Sequence, residues 1–291
     1  MLASNKPTVT IGMPIYNGEK YVEETITSLL SQSYQSFQLL ISDNASTDRT
    51  NKVCQKFASK DPRIIYFRQR KNIGAVNNFK YVLARVKTDF FMWAACDDLW
   101  DKNFLSDCYE LIHLNSDMVL VFPNFVNINS KGDTIRTYDP QKFISRGSCT
   151  DAINYMKLYG ADGKANLFYG LWRTKALKGK PIREFWANDI SYIYAATLGY
   201  KIGYVNKVLF KKRIVEISPP GNTTYFSLSA KLKHVAKPIT KRIHLLINSS
   251  QYFYYLIYDT IINKNISLGN KIEVLVWTPL IIIRTIYTCR L

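Results

Sequence analysis

Val9-Thr10-Ile11-Gly12-Met13-Pro14-Ile15-Tyr16-Asn17 decides the fold. Val9 to Met13 is a short apolar run that stops at Pro14, which marks a strand buried on both faces. Glu19 to Gln32 then reads as a helix, because Val22, Ile26, Leu29 and Leu30 recur at a period near 3.6. The same unit repeats downstream. Phe37 to Ser42 is a second strand. Asp48 begins a second helix, with Val53 and Phe57 four apart and Ser46 or Thr47 as its cap. Ile64 to Phe67 is a third strand, and Ala75, Phe79, Val82, Leu83 and Val86 form a helical stripe. Phe90 to Ala94 is a fourth strand, Asp101 to Leu114 a helix, and Met118 to Phe122 a fifth strand. This alternation predicts an α/β fold, a mostly parallel central sheet with helices on both faces. Ligands of such sheets bind beyond the C-terminal strand ends. Four loops lie there: Pro14 to Glu19, Asp43 to Asp48, Arg70 to Gly74, and Cys96 to Trp100. No G-x-G-x-x-G or G-x-x-x-x-G-K-[ST] follows a strand, so the sheet is not announced as a dinucleotide or P-loop domain.

The polar residues of those loops suit group transfer from an activated sugar. Such a reaction must hold a base and ribose, neutralise a diphosphate and take a proton from the acceptor. Pro14, Tyr16, Asn17 and Glu19 close the first strand. Asp43, Asn44 and Ser46 close the second, where a carboxylate could accept from a uracil-like N–H; an Asx-turn is the plainer role for Asp43. Asn72 and Gly74 precede the third helix. Asp97 and Asp98 follow the fourth strand, and adjacent carboxylates repel unless a cation or a proton relieves them. Oxygen ligands suit Mg2+ or Mn2+. Taken singly each feature reads equally as a solvated turn or cap; together, in order at successive strand ends, they read as one site. Trp93 and Trp100 flank the acids, Trp93 as a core residue. His113, His234 and His244 have no metal-binding spacing.

The ordered set V-T-I-G-M-P-I-Y-N, S-D-N-A-S-T-D-R-T, N-I-G and C-D-D-L-W resembles the nucleotide-binding half of family 2 glycosyltransferases. The likeness spans roughly residues 7–215. It implies a GT-A (Rossmann-like) fold, inversion at the anomeric carbon and a nucleotide-diphosphate sugar donor, with UDP favoured. It also implies that Asp43 contacts the base beside Glu19 and that Asp97 matches the D-x-D aspartate holding the metal, with Asp98 after it. Ala95 stands where the first D-x-D acid is expected, which weakens the ribose or metal contact. Further along, Asn166 to Arg173 resembles the acceptor-side strand, with Gly170 and Trp172. Trp186-Ala187-Asn188-Asp189 resembles the acidic motif that supplies the base, which makes Asp189 the catalytic acid–base candidate; a helix N-cap is the structural alternative. Arg213, ending Lys211-Lys212-Arg213, is the candidate for the diphosphate, against an exposed basic turn.

The expected organisation is a GT-A domain over 1–215, divided into a nucleotide-sugar half (7–125) and an acceptor half (126–215). Within the acceptor half, Asn166 to Leu177 reads as a strand leading into a turn, Asp189 to Leu198 as a helix and Ile202 to Phe210 as a strand. A basic, aromatic, helical extension over 216–291 follows. The net charge is +17, and 14 basic against 3 acidic residues from Lys201 onward supply 11 of it. That calls for an anionic partner. Acids at successive strand ends would repel nucleic acid, and no nucleic-acid-binding motif appears, so none is expected as partner. An anionic membrane surface is, with a glycan or lipid-linked acceptor. The apolar stretches Ile243 to Ile262 and Val274 to Tyr287 are too interrupted to span a bilayer, so they read as lying on a membrane or capping the domain. Five cysteines without a C-x-x-C pair fit a reducing compartment, and polar Met1 to Thr8 predicts no secretory leader. The expected place is cytoplasmic, at the inner membrane face. The rivals are a catalytically degenerate relative, a basic nucleic-acid- or membrane-binding module, and a sugar nucleotidyltransferase, whose glycine-rich loop after the first strand Met13-Pro14-Ile15-Tyr16-Asn17 does not provide.

Overall fold

The computed structural model describes residues 7–139, 164–183, 188–214, 254–264, 266–269, 271–272 and 275–276. In chain order the elements begin β1 (Val9–Ile15), α1 (Val22–Leu30), β2 (Phe37–Asp43), α2 (Thr50–Ala58), β3 (Ile64–Arg68), α3 (Ala75–Ala84) and β4 (Phe90–Trp93). They continue with β5 (Leu99–Trp100), α4 (Phe104–Leu114), β6 (Met118–Ile128), β7 (Thr134–Tyr138) and a 3-10 helix (Lys164–Tyr169). Then come β8 (Leu171–Arg173), α5 (Thr174–Leu177), α6 (Asn188–Thr197) and β9 (Lys201–Arg213). Residues 254–262 are helical.

One sheet runs β3-β2-β1-β4-β8-β6-β9-β5, with β7 paired to β6. Its first four strands are parallel. Val9, Ile11, Met13, Leu39 and Ile41 are fully buried there, as a strand covered on both faces requires. The sheet continues antiparallel through β4–β8, β8–β6, β6–β7 and β5–β9. The α/β architecture with a parallel block is as expected.

Several boundaries differ from the sequence reading. α1 starts at Val22, because residues 18–21 form a turn closed by Tyr21 and Val22 N–H on the Gly18 carbonyl. α4 starts at Phe104, because Leu99 and Trp100 pair with β9. The stretch from Asn166 is a 3-10 helix, and the strand is confined to Leu171–Arg173. Asn166, Leu167 and Phe168 are all buried, and periodicity cannot separate helix from strand in a segment with no exposed face.

The described residues fall into two compact units. The first draws on Met1–Pro140, Tyr169–Gly179 and Gly203–Val215; the second on Gln141–Phe168, Lys180–Ile202 and Glu216–Leu291. In the second unit α6 is buried almost all round, from Ser191 to Leu198. Helix 254–262 packs there with inward-facing polar groups. Asp259 forms a two-toothed ion pair with Arg183, both bonds 2.8 Å, and the Thr260 and Tyr194 hydroxyls meet at 2.7 Å.

Candidate active site

In the first unit the loops after β1 and β2 are laced together. The Asn44 N–H bonds the Ile15 carbonyl at 2.8 Å. Asn17, at φ 52°, receives the Thr47 N–H on its side-chain oxygen (2.9 Å) and donates its own N–H to Ser46 Oγ (3.0 Å). Glu19 bridges the gap to two successive residues: its N–H reaches Asp48 Oδ2 at 3.1 Å, and its Oε2 accepts the Arg49 N–H at 2.9 Å. Asp48 Oδ1 also takes the Thr50 N–H at 2.9 Å. The group at the start of α2 is therefore Asp48, replacing the expected Ser46 or Thr47. Burial works against its charge, but the bonds from Thr50 and Glu19 hold its carboxyl below the ordinary range. Pro14 and Tyr16 lie half-buried at the same edge.

Asp43 is fully buried. It accepts the Ser46 N–H on one oxygen (2.8 Å) and the Tyr66 hydroxyl on the other (2.8 Å), with Arg68 Nε at 3.5 Å. The Asx-type turn is thus present, and both carboxylate oxygens have partners, so the expected base contact gives way to a positioning role for the buried Asp43. Tyr66 and Arg68 were missed by sequence reasoning, although the parallel register sets Asp43 directly opposite Arg68 at the last rung of β2 and β3. Asn44 ties in the third loop: its amide donates to Asn72 Oδ1 (2.9 Å) and its oxygen accepts the Ile73 N–H (2.9 Å). Gly74, at φ 82°, donates its N–H to the same Asn72 oxygen and opens α3.

The two adjacent acids behave differently. Asp98 is fully buried and committed to β9: Oδ1 accepts the Arg213 N–H at 2.8 Å and Oδ2 faces Lys212 Nζ at 3.4 Å. Burial raises its carboxyl to about 6, against the pull of Lys212 and with repulsion from Asp97. Burial lowers Lys212 in turn, but Asp98, Tyr169 and Asp97 move it upward on balance, so the ammonium persists. As a second metal ligand Asp98 is poorly disposed, because both oxygens already have partners. Asp97 is half-exposed, and its carbonyl accepts Arg213 Nε at 2.9 Å. Arg213 is neither an exposed turn nor available to a diphosphate. Only 4% exposed, it also donates to the carbonyls of Asn129 and Ser130 and to Glu24, and covers the Tyr21 ring at 4.4 Å. It clamps the Asp97–Asp98 turn from behind. Cys96 lies against Gly18, where an added Cβ would come within 2.9 Å of its sulfur, and burial pushes the thiol well above its ordinary pKa.

Trp172 is a correction. It is fully buried in β8, opposite Phe91 and Leu120, so its ring belongs to the core. Gly170 permits close approach of β6: a Cβ there would sit 2.6 Å from the Val121 carbonyl oxygen. Trp93 and Trp100 are core rings as well, Trp100 tilted against Phe210 at 5.3 Å. In the second unit Asp189 is half-buried in the first turn of α6, with Oδ1 2.8 Å from the Ile190 N–H. Trp186 and Ala187 of its motif lie outside the described residues. Among the described residues no three His, Cys, Asp or Glu side chains converge as a metal cage. A single half-exposed carboxylate still fits Mg2+ or Mn2+, which bind through one or two protein carboxylates with substrate phosphates and water completing the shell.

The parallel block with polar loops at its C-terminal edge, extended by antiparallel strands, has the GT-A architecture. A crystal structure of TarS residues 1–349 from S. aureus, in complex with UDP-GlcNAc, shares the fold at a TM-score of 0.66 with 17% identity, covering 92% of this chain and 70% of that one. Residues 10–164 match Glycosyl transferase family 2, and the chain belongs to that family. The glycosyltransferase GlyA of Streptococcus pneumoniae is 25% identical over 74% of this chain and 31% of its own length. The putative teichuronic acid biosynthesis glycosyltransferase TuaG of Bacillus subtilis is 32% identical over 37% of this chain and 42% of its own. An uncharacterized glycosyltransferase of Rickettsia typhi is 27% identical over 48% and 43%. The chain thus spans less than half the length of these curated relatives.

Proposed function

We propose that this chain is an inverting glycosyltransferase. It moves a sugar from a nucleotide-diphosphate donor, UDP-linked in the favoured case, to a hydroxyl of a glycan or lipid-linked acceptor in cell-surface polysaccharide or glycolipid synthesis, at the cytoplasmic face of the membrane. The observation that carries this reading is the C-terminal sheet edge, where laced loops after β1, β2 and β3 surround the buried Asp43 and the turn after β4 holds Asp97 half-exposed. The fold shared with a UDP-GlcNAc complex and the likeness to a protein named for teichuronic acid synthesis support it.

In this reading Tyr66 and Arg68, both held by the buried Asp43, form the wall for the base and ribose, and Asn17, Glu19 and Asn44 keep the rim rigid. Asp97 would hold a divalent metal, which when bound neutralises the leaving diphosphate. Asp189 takes the acceptor proton as the acceptor oxygen bonds to the anomeric carbon and the bond to the diphosphate breaks. The test is a binding and hydrolysis screen of UDP-, GDP-, dTDP- and CMP-sugars with and without Mn2+. One donor is expected to bind in a metal-dependent way. Asp97→Ala should lose that binding; Asp189→Ala should keep it and lose turnover. Well-folded protein that binds no nucleotide sugar overturns the reading in favour of a degenerate relative, the alternative that Ala95 keeps open.

A further inference from the structure

Helix 254–262 has its polarity inverted. Leu256, Asp259 and Thr260 face inward and are buried, with Asp259 clamped by Arg183, Thr260 bonded to Tyr194, and the Asn263 amide reaching the Leu198 carbonyl at 3.2 Å. Tyr254, Tyr258, Ile261 and Ile262 face outward and are exposed. Their spacing is i, i+4, i+7, i+8, one face of a helix. Leu268, Ile272, Leu275 and Val276 repeat that spacing along the next helical residues and are exposed too, Leu268 by 74%. A water-facing helix is normally built the other way round. Two successive apolar stripes on the outside are a docking face, not scattered surface residues.

We infer that this face is a membrane-docking surface, seated in the interface of a bilayer rich in anionic lipid. The occupant follows from the chemistry around the stripes. Tyrosine combines an apolar ring with a hydroxyl that prefers the headgroup layer, and Tyr254 and Tyr258 stack side by side on the outward face. Lys264 is exposed between the two stripes and Lys271 lies within the second, so cations flank the apolar band. Residues 216–291, all of the same unit, hold 9 basic and 3 acidic side chains, and that surplus of 9 − 3 = 6 positive charges supplies the complement to anionic headgroups. No helix of the described residues is long and apolar enough to cross the bilayer, so the face lies on it. The ion pair beneath, Arg183 with Asp259, fixes which side of the helix is outward.

This inference rests on the membrane-side part of the proposed function and gives it residues. The test is flotation of the full chain with vesicles of phosphatidylglycerol and phosphatidylcholine, against phosphatidylcholine alone. The wild type should float with the anionic vesicles and be released in part by raised salt. The double variant Ile261→Asp/Ile272→Asp should lose about tenfold or more in partitioning, while Leu114→Asp, an exposed leucine of the other unit, should not. Donor binding measured on the same samples should be equal in all three proteins, which separates failure of docking from failure of the transferase reading. Hydrogen exchange on the wild type, which needs no variant, should show residues 254–276 protected by anionic vesicles. The inference is overturned if the wild type ignores both vesicles, if the double variant floats as well as the wild type, or if the variants instead abolish a concentration-dependent dimer. The last result would assign the face to a second copy of the chain.

Discussion

Asp97 and Asp98 are neighbours in sequence with opposite duties, and substitution should separate them. Asp97 is half-exposed, so Asp97→Ala should leave stability within about 0.5 kcal/mol of wild type while donor binding collapses. Asp98→Ala removes the acceptor of the Arg213 N–H and the counter-charge of Lys212. It should cost about 1–3 kcal/mol, because Lys212 keeps partial contact with solvent. Urea midpoints of the two variants check both statements. Gly170→Ala would press a Cβ onto a backbone oxygen that cannot swing aside, and about 1–3 kcal/mol of destabilisation is expected. The sequence pointed to this strand-end pair of acids but not to their division of labour. Arg213 sets that division, and its partners Glu24 and Asn129 lie 189 and 84 residues away along the chain. No local pattern encodes such contacts.

Among elements, the β1-α1 and β2-α2 units were legible because each carries one apolar period and ends on a Pro, Asn or Asp. β5 was not, since Leu99 and Trp100 are two residues recruited as a strand only by β9. The turn before β3 offers a pH test. Asp61 takes Arg63 on both oxygens, and that bonding holds its carboxyl below the ordinary 3.8 against a smaller upward push from burial. A lowered folded-state pKa gives stability that is present above 3.8 and lost as pH falls through the folded value. Asp61→Asn should therefore be less stable than wild type at neutral pH, by about 1 kcal/mol, and the gap should close as pH falls below 3.8 and through the lowered folded value. Thermal melts across that range read it directly. Asn44→Ala should cut the lace between the second and third loops, weakening donor affinity several-fold with little change in turnover of bound donor; titration calorimetry and single-turnover rates separate the two.

At the scale of the whole molecule, the second unit gathers residues far apart in sequence: Arg183, Tyr194 and Leu198 with the helix at 254–262. The basic, aromatic character of the C-terminal third was plain from composition. That its helix inserts polar groups inward was not, because periodicity gives a face and not its direction. A chain ending at residue 215 would remove the carboxylate of Asp259 from Arg183 and the hydroxyl of Thr260 from Tyr194. Limited proteolysis of that shorter chain should cut within 180–202 sooner than in the full chain, while exchange protection of β1 and β2 stays unchanged.

Cys96 turns the rim into a clock. Its half-buried sulfur lies against Gly18 beside the acid turn, and burial raises its pKa, which slows its reaction. An alkylating reagent reacts faster whenever the loop after β1 exposes more of that sulfur, so the labelling rate reports the loop's position. A donor that stills the rim would slow the labelling, and a variant that frays it would hasten it.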